Sequence, residues 1–335
     1  MEFNISSIGT KYGLFFIFLG LIILSSLLSP LFFTYANLAN FFSQIAYNGI
    51  LSIGMTFVII MGGIDLSVGS IVGFSSILYA TILHGAFFTF MPKEIFIYGQ
   101  APTLNSILPF PFDVFFVLFI GGLIGYLNGA ISYRFRINSF IVTLCMMIFI
   151  RGLGICYTNG QPLFGVPDLI NSLAYGAIAK VPMPTIIWIF ICILAGVLLR
   201  YSRFGRAIYS VGGDKNVARL SGIEPAKYQI FPYVVSGLLA ALVGIMMSGR
   251  MGCGDPKIAD GWQTDAIAAV VIGGASMTGG KGSVTGTILG VLILGLITNI
   301  MNLLKIDAYP QQMAKGFIII GALALQGIIS GRRGK

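Results

Sequence analysis

The chain has 335 residues, of which 56% are hydrophobic and 9% charged, with a mean hydropathy of +0.92 and a formal net charge of +9. So apolar a composition excludes a soluble domain and makes this an integral membrane protein. The positive charge gathers in a few loops, a pattern that speaks for membrane orientation and against nucleic-acid binding.

Counting apolar runs against the roughly twenty residues that cross a bilayer predicts an all-α membrane fold. It is a single domain over residues 1–335, with about ten transmembrane helices and glycine-broken segments. Approximate limits are 12 to 29, 40 to 61, 66 to 84, 112 to 133, 139 to 157, 184 to 200, 229 to 249, 263 to 279, 284 to 303 and 311 to 329. The first run is followed by Ser29-Pro30 without a small-residue cleavage site, and reads as a retained span. The second and third would be one run from Phe41 to His84, about twice the spanning length, were it not broken at Gly62-Gly63-Ile64-Asp65-Leu66-Ser67-Val68-Gly69-Ser70. There the glycines loosen the backbone, and Asp65 and Ser67 can accept bonds from the free N–H groups of the next helix. The break is either a capped turn or an ionisable marker of a transport pathway.

Proline-rich loops follow, over about 85–111 and 158–183; their apolar content reads as ordered loops or short interfacial pieces able to dock a partner. The longest basic loop, about 201–228, carries Asp214 as the cap of a short helix to Leu220, with Gly222 as its stop. Val217, Leu220 and Ile223 offer an apolar edge flanked by Lys215 and Arg219. This is either an ordinary basic loop with an interfacial helix or a docking segment. A second break, Gly273-Gly274 to Gly279-Gly280-Lys281-Gly282, repeats the first and hints at an internal repeat. Its likeness to a phosphate loop fails, because Lys281 is followed by Gly282 and the first glycine position holds Ala275. Gly273, Gly274, Gly279 and Gly280 can let the run over 263–279 enter and leave on one side instead of spanning.

Lys and Arg set the orientation. With both termini cytoplasmic, Lys11, Arg134, Arg136, Arg200, Arg203, Arg206, Lys215, Arg219, Lys227, Lys281, Arg332, Arg333 and Lys335 lie inside, against Lys93, Lys180, Arg250, Lys257 and Lys305 outside. Asp65, Arg151, Asp265 and Lys315 fall in breaks or terminal turns of spans, where a charge costs less than the roughly 2.5 to 3.5 kcal/mol of a helix centre. Asp265 can pair with Arg151 or with Lys315, as a structural pair or as part of a charged ring at the outer mouth of a pathway. Asp65 has no cation assigned, which suits an uncharged, hydroxylated substrate and reads best as a cap and hinge. Trp262 and Gln263 can stack on and hydrogen-bond a sugar, or serve as interfacial anchors. The cysteines Cys145, Cys156, Cys192 and Cys253 form no C-x-x-C pair, and no cluster of His, Cys or carboxylate predicts a metal or catalytic site.

On these residues the chain resembles the membrane permease subunits of ribose-type ABC sugar importers, over nearly its whole length. The stretches that carry the likeness are Gly54 to Val58 running into Gly62 to Ser70, Arg151-Gly152 with Tyr157-Thr158-Asn159-Gly160, Gly205 to Ile223, Asp265 to Val271 through Gly280-Lys281-Gly282, and Asn302-Leu303-Leu304. The resemblance implies two permease subunits, alike or different, in a bacterial cytoplasmic membrane. It also implies a cytoplasmic ATPase pair, an extracytoplasmic sugar-binding protein, and no cofactor in this chain. It makes Gly205, Arg206, Gly212, Gly213, Asp214, Ala218, Leu220, Ser221 and Gly222 the ATPase-coupling residues. It makes Gly62, Gly63, Asp65, Ser67, Gly69, Arg151, Asn159, Asp265, Gly273, Gly274, Gly279 and Gly280 residues of the pathway or its hinges. The chain departs from the family at Asp214, where Asn is usual, and at Gln263, where Glu is usual. The runner-up is a proton-coupled secondary transporter of a small polar solute using Asp65 or Asp265; permeases for galactofuranose, autoinducer or nucleoside are the nearer alternatives.

Overall fold

The computed structural model describes residues 5–83, 110–166 and 168–332, so the expected loop over 85–111 lies outside the described residues except for its last two positions. The helices are α1 (Ile5–Leu28), α2 (Tyr35–Ile60), α3 (Val68–Leu83), α4 (Phe112–Phe135), α5 (Ser139–Thr158), α6 (Asp168–Tyr175), α7 (Met183–Tyr201), α8 (Arg203–Gly213), α9 (Lys215–Leu220), α10 (Pro225–Met251), α11 (Trp262–Ile272), α12 (Val284–Leu303) and α13 (Ala308–Arg332). Among the described residues, α2, α4, α5, α7, α10 and α12 are long and apolar enough to cross a membrane. The all-α membrane architecture read from composition is therefore present.

Helix α2 runs through the centre. Its residues from Ile50 to Ile60 are all buried, as expected of a helix apolar on every face. It packs on α7, α10, α11 and α12, while α10 packs on α4, α3 and α2. The α4–α10 contact is close because Gly121, Gly125 and Gly129 of α4 repeat every four residues and bring its backbone against Gly237, Tyr233 and Ile230 of α10. Thr34 starts α2 by accepting from the Asn37 N–H, and Ser283 starts α12 by accepting from the Gly286 N–H.

Between spans the chain is ordered. Strand β1 (Leu163–Phe164) and the hairpin of β2 (Ala177–Ile178) and β3 (Val181–Pro182) occupy the expected 158–183 loop together with α6. Strand β4 (Cys253–Gly254) pairs antiparallel with β1 and ties the exits of α5 and α10 together. Several helix limits differ from the sequence reading, among them the starts of α1 at Ile5 and α2 at Tyr35, ahead of the expected 12 and 40. The helix expected over 263–279 stops at Ile272, because Gly273 and Gly274 leave the helix in a turn with Gly274 at φ 88°. At 11 residues α11 is about 16 Å long, too short to span. The basic loop is mostly helical, holding α8 as well as the expected α9, and α10 begins at Pro225.

Candidate functional site

The residues singled out by sequence collect at two places. The first is a junction at the C-terminal end of α2, where three glycine pairs meet. The Gly280 N–H donates to the Ile60 carbonyl at 2.8 Å, joining the second break to the last turn of α2. A Cβ on Gly279 would lie 3.0 Å from the Gly62 Cα, one on Gly280 would lie 2.8 Å from the Gly213 Cα, and one on Gly212 would run into the Ile60 carbonyl. Gly62 and Gly279 have φ of 81° and 88°, so both the conformation and the approach require glycine. The two breaks and the α8–α9 corner thus touch backbone to backbone.

Side chains fasten α8 and α9 to this junction. The Tyr209 hydroxyl donates to the Gly282 carbonyl at 2.8 Å, and Phe204 packs edge-on against Phe231 of α10 at 4.4 Å between ring centres. Asp214 caps α9 as expected, accepting from the Asn216 and Val217 N–H groups at 2.7 and 3.1 Å. Gly222, at φ 79°, ends it, and the Ile223 N–H returns to the Ala218 carbonyl. Ile223 does not join an outward apolar edge: it packs with Met61, Val211 and the buried Ala218. The edge left free is Val217 and Leu220, the latter 89% exposed. Gly205 lets α8 start hard against the end of α7, near the Leu198 and Leu199 carbonyls, while Arg206 reaches back to the Tyr201 carbonyl and Ser221 is exposed.

Asp65 sits just beyond the junction, fully buried. Its Oδ1 accepts from the Ser67 N–H at 3.0 Å and the Ser67 hydroxyl at 2.6 Å, and its Oδ2 accepts from the Ser236 hydroxyl of α10 at 2.8 Å. Asn128 of α4 donates to the Ser67 Oγ at 2.8 Å. Helix α5 holds the same turn, since the Ile64 N–H donates to Ser139 Oγ and Thr143 Oγ1 donates to the Ile64 carbonyl. Among the described residues no cation lies within ion-pair distance of Asp65. The carboxylate ties the turn before α3 to α10 directly and to α4 through Ser67; its backbone donor is the Ser67 N–H, which precedes α3, and not the expected free N–H of the helix's first turn.

The second place begins where the chain leaves α10. Residues 253–261 do not stay at the end of the bundle. They run along α3, where Gly69 faces the Ala259 carbonyl and Gln263, Gly73 faces the Pro256 carbonyl, and Gly254 lies against Ser76 and Ile77. Non-helical backbone between helices needs partners for its carbonyls. Arg151 supplies them, donating from Nη1 to the Pro256 and Ile258 oxygens at 2.6 and 3.0 Å, with Asp260 3.8 Å from Nη2. Arg151 is therefore not the partner of Asp265, which takes Lys315 at 2.8 Å. Asn159 caps α5 in the left-handed region at φ 52°.

The Asp265–Lys315 pair lines a cavity of about 190 Å³ between α2, α11, α12 and α13. Gln44, Asn48, Ser52, Trp262, Thr298 and Asn299 line it too, and the Asn48 Oδ1 is buried with no hydrogen-bond partner. Trp262 thus faces the cavity as the sequence allowed. Gln263 turns the other way, donating to the Met147 Sδ. Sequence reasoning did not single out Asn48, Asn128, Ser139, Thr143 or Ser236, polar residues in or at the start of apolar runs, nor Tyr209, which lay in the basic loop.

Helices long and apolar enough to cross a membrane, broken by glycine turns that meet α8 and α9, define a multi-pass membrane protein. The chain belongs to the family described as the permease component of branched-chain amino acid transport systems, whose profile matches residues 37–324. It is 38% identical to the ribose import permease protein of Escherichia coli over 307 residues, 90% of this chain and 89% of that one. The ribose import permease protein of Bacillus subtilis is 35% identical over 320 residues, 95% and 92% of the two chains. A D-allose transport system permease protein of Escherichia coli is 32% identical over 330 residues, 98% and 95% of the two. No solved structure matches the chain.

Proposed function

We propose that this chain is the membrane-spanning permease subunit of an ATP-driven importer of a monosaccharide, with ribose the sugar that the names of its relatives support best. The observation that carries the reading is the backbone contact of the α8–α9 corner with both glycine breaks, beside an exposed Leu220. A displacement imposed on α9 by a partner reaches α2 and the turn before α12 through packed backbone, with no long side chain to absorb it. The lack of a readable nucleotide motif leaves a partner or an ion gradient as the energy source, and in this account it is a partner, a cytoplasmic ATPase, as the likeness to permeases of ABC importers supports.

In this account the chain crosses a bacterial cytoplasmic membrane about ten times with both termini inside, as the distribution of Lys and Arg supports. The α8–α9 corner then faces the cytoplasm, and the cavity of Asp265 and Lys315 lies farther out. Two permease subunits stand side by side, and an extracytoplasmic binding protein delivers the sugar. The cavity suits a neutral polyol, because amides, hydroxyls and a Trp line it and its two charges already pair with each other. The full set of hydroxyl and N–H donors on Asp65 supports a structural tie and hinge, and speaks against a proton carrier. The test is sugar-stimulated ATP hydrolysis by the assembled complex with its binding protein, over a panel of pentoses and hexoses. Ribose is expected to stimulate most; stimulation only by a nucleoside or a galactofuranose would move the substrate, and none by any sugar would refute the reading.

A further inference from the structure

A cavity of about 820 Å³ opens beside the glycine junction, between the α4–α5 turn, α9 and the start of α10. Four cations line it, Arg134, Arg136, Lys215 and Arg219, together with Tyr133 and Gln229, and no carboxylate does. Among the described residues none of the four lies within 4 Å of an acid. The nearby acids are engaged elsewhere, Asp214 by the N–H groups of α9 and Glu224 by Lys227 at 3.7 Å. Four unpaired cations around one concave site repel one another, and a bound anion relieves that repulsion.

The rim says which anion. Phe135, Ile137, Phe140 and Ile141 at the α4–α5 turn are exposed, and the exposed apolar face continues up α5 through Ile148 and Phe149. A basic hollow at the foot of an apolar helix face matches an amphiphile with an anionic head and acyl tails. The hollow shares Lys215 and Arg219 with α9, but the exposed Val217 and Leu220 of that helix do not line it, and Arg134 and Arg136 come from the end of α4 and the α4–α5 turn instead.

We propose that this hollow binds the phosphate headgroup of an anionic phospholipid, with its acyl chains lying along α5. Because Gly62 and Gly63 form part of its wall, an occupied hollow braces the first break and the α9 corner together.

The test uses the purified full-length chain in detergent, followed by thermal unfolding with added short-chain phosphatidylglycerol, phosphatidylcholine of the same chain length, or glycerol 3-phosphate. Phosphatidylglycerol is expected to raise the melting temperature by about 2 °C or more at saturating concentration, with little effect of the other two. The double variant Arg134→Gln, Arg136→Gln, which leaves α9 untouched, is expected to need about tenfold more lipid for the same shift. Arg203→Gln, a cation outside the hollow, should respond like the unaltered chain. An equal effect of glycerol 3-phosphate would assign the site to soluble phosphates and overturn the lipid. An equal effect of phosphatidylcholine, or an unchanged response in the double variant, would overturn it as well. Loss of ATPase binding in the double variant with an unchanged lipid response would give these cations to a protein partner instead.

Discussion

Gly212 and Gly213 are neighbours in α8 with opposite expected responses to a single methyl group. A Cβ on Gly212 would lie 3.0 Å from the Ile60 carbonyl carbon and 3.1 Å from the Gly280 nitrogen, across the 2.8 Å bond that joins those residues. A Cβ on Gly213 would meet nothing within 4 Å. Gly212→Ala should therefore cost about 1–3 kcal/mol for overpacking against rigid backbone and about 1 kcal/mol for the weakened bond. Gly213→Ala should be neutral, or stabilising by up to about 1 kcal/mol, because alanine suits a helix better than glycine. The informative assay is the ratio of sugar transported to ATP hydrolysed by the reconstituted complex. Gly212→Ala is expected to leave ATP hydrolysis measurable while transport per ATP falls about tenfold, since α8 can no longer seat on the breaks; Gly213→Ala should keep the normal ratio. Normal coupling in Gly212→Ala, or equal damage in both, would refute the junction as the route of transmission.

Arg151→Met should destabilise by about 2–4 kcal/mol by stripping two carbonyls of their charged donor, and Arg151→Lys should recover part of this; hydrogen exchange or proteolysis confined to residues 253–261 reports it. Asp65→Asn should fold and transport, because the amide oxygen can still accept from Ser67 and the amide N–H can donate to Ser236, whereas Asp65→Leu should lose about 1–3 kcal/mol; loss of transport in a folded Asn variant would revive a proton role. Either Asp265→Asn or Lys315→Met alone should cost about 2 kcal/mol in thermal unfolding, and the double variant less than the sum, an inequality that additive costs would disprove. In a background lacking Cys145, Cys156, Cys192 and Cys253, a cysteine at Ser221 should require a membrane-permeant reagent, and one at Ser172 should react from outside; the reverse would overturn the orientation.

Some of this was legible in residues and some was not, for physical reasons. Apolar run length marked α5, α7 and α12 to within two residues, because a span of about twenty apolar residues has few alternatives in a bilayer. The cap of α9 was readable because Asp214 and Gly222 act on their own neighbours. Helix α8 was missed although Ser202 caps it, with the Gly205 N–H at 2.9 Å, and Phe204, Ala207, Ile208 and Val211 recur at helical spacing. Its glycines read as loop residues, whereas three-dimensional packing needs them for close approach to α7 and α2. Asp265 could not be assigned between two cations, since nothing local reveals that residues 253–261 fold back along α3 and engage Arg151. The meeting of the two glycine breaks was equally hidden: each shows in the sequence as a turn, and only their contact makes a junction.

The claim on which the rest depends is that an ATPase drives this permease through its α8–α9 corner. Uptake of labelled ribose into vesicles holding the permease with its ATPase, with the binding protein added outside, tests it directly. ATP-dependent uptake that requires both partners and is abolished by Leu220→Glu is the result the account predicts. Uptake by the permease alone, driven by a proton gradient and indifferent to Leu220→Glu, would contradict it.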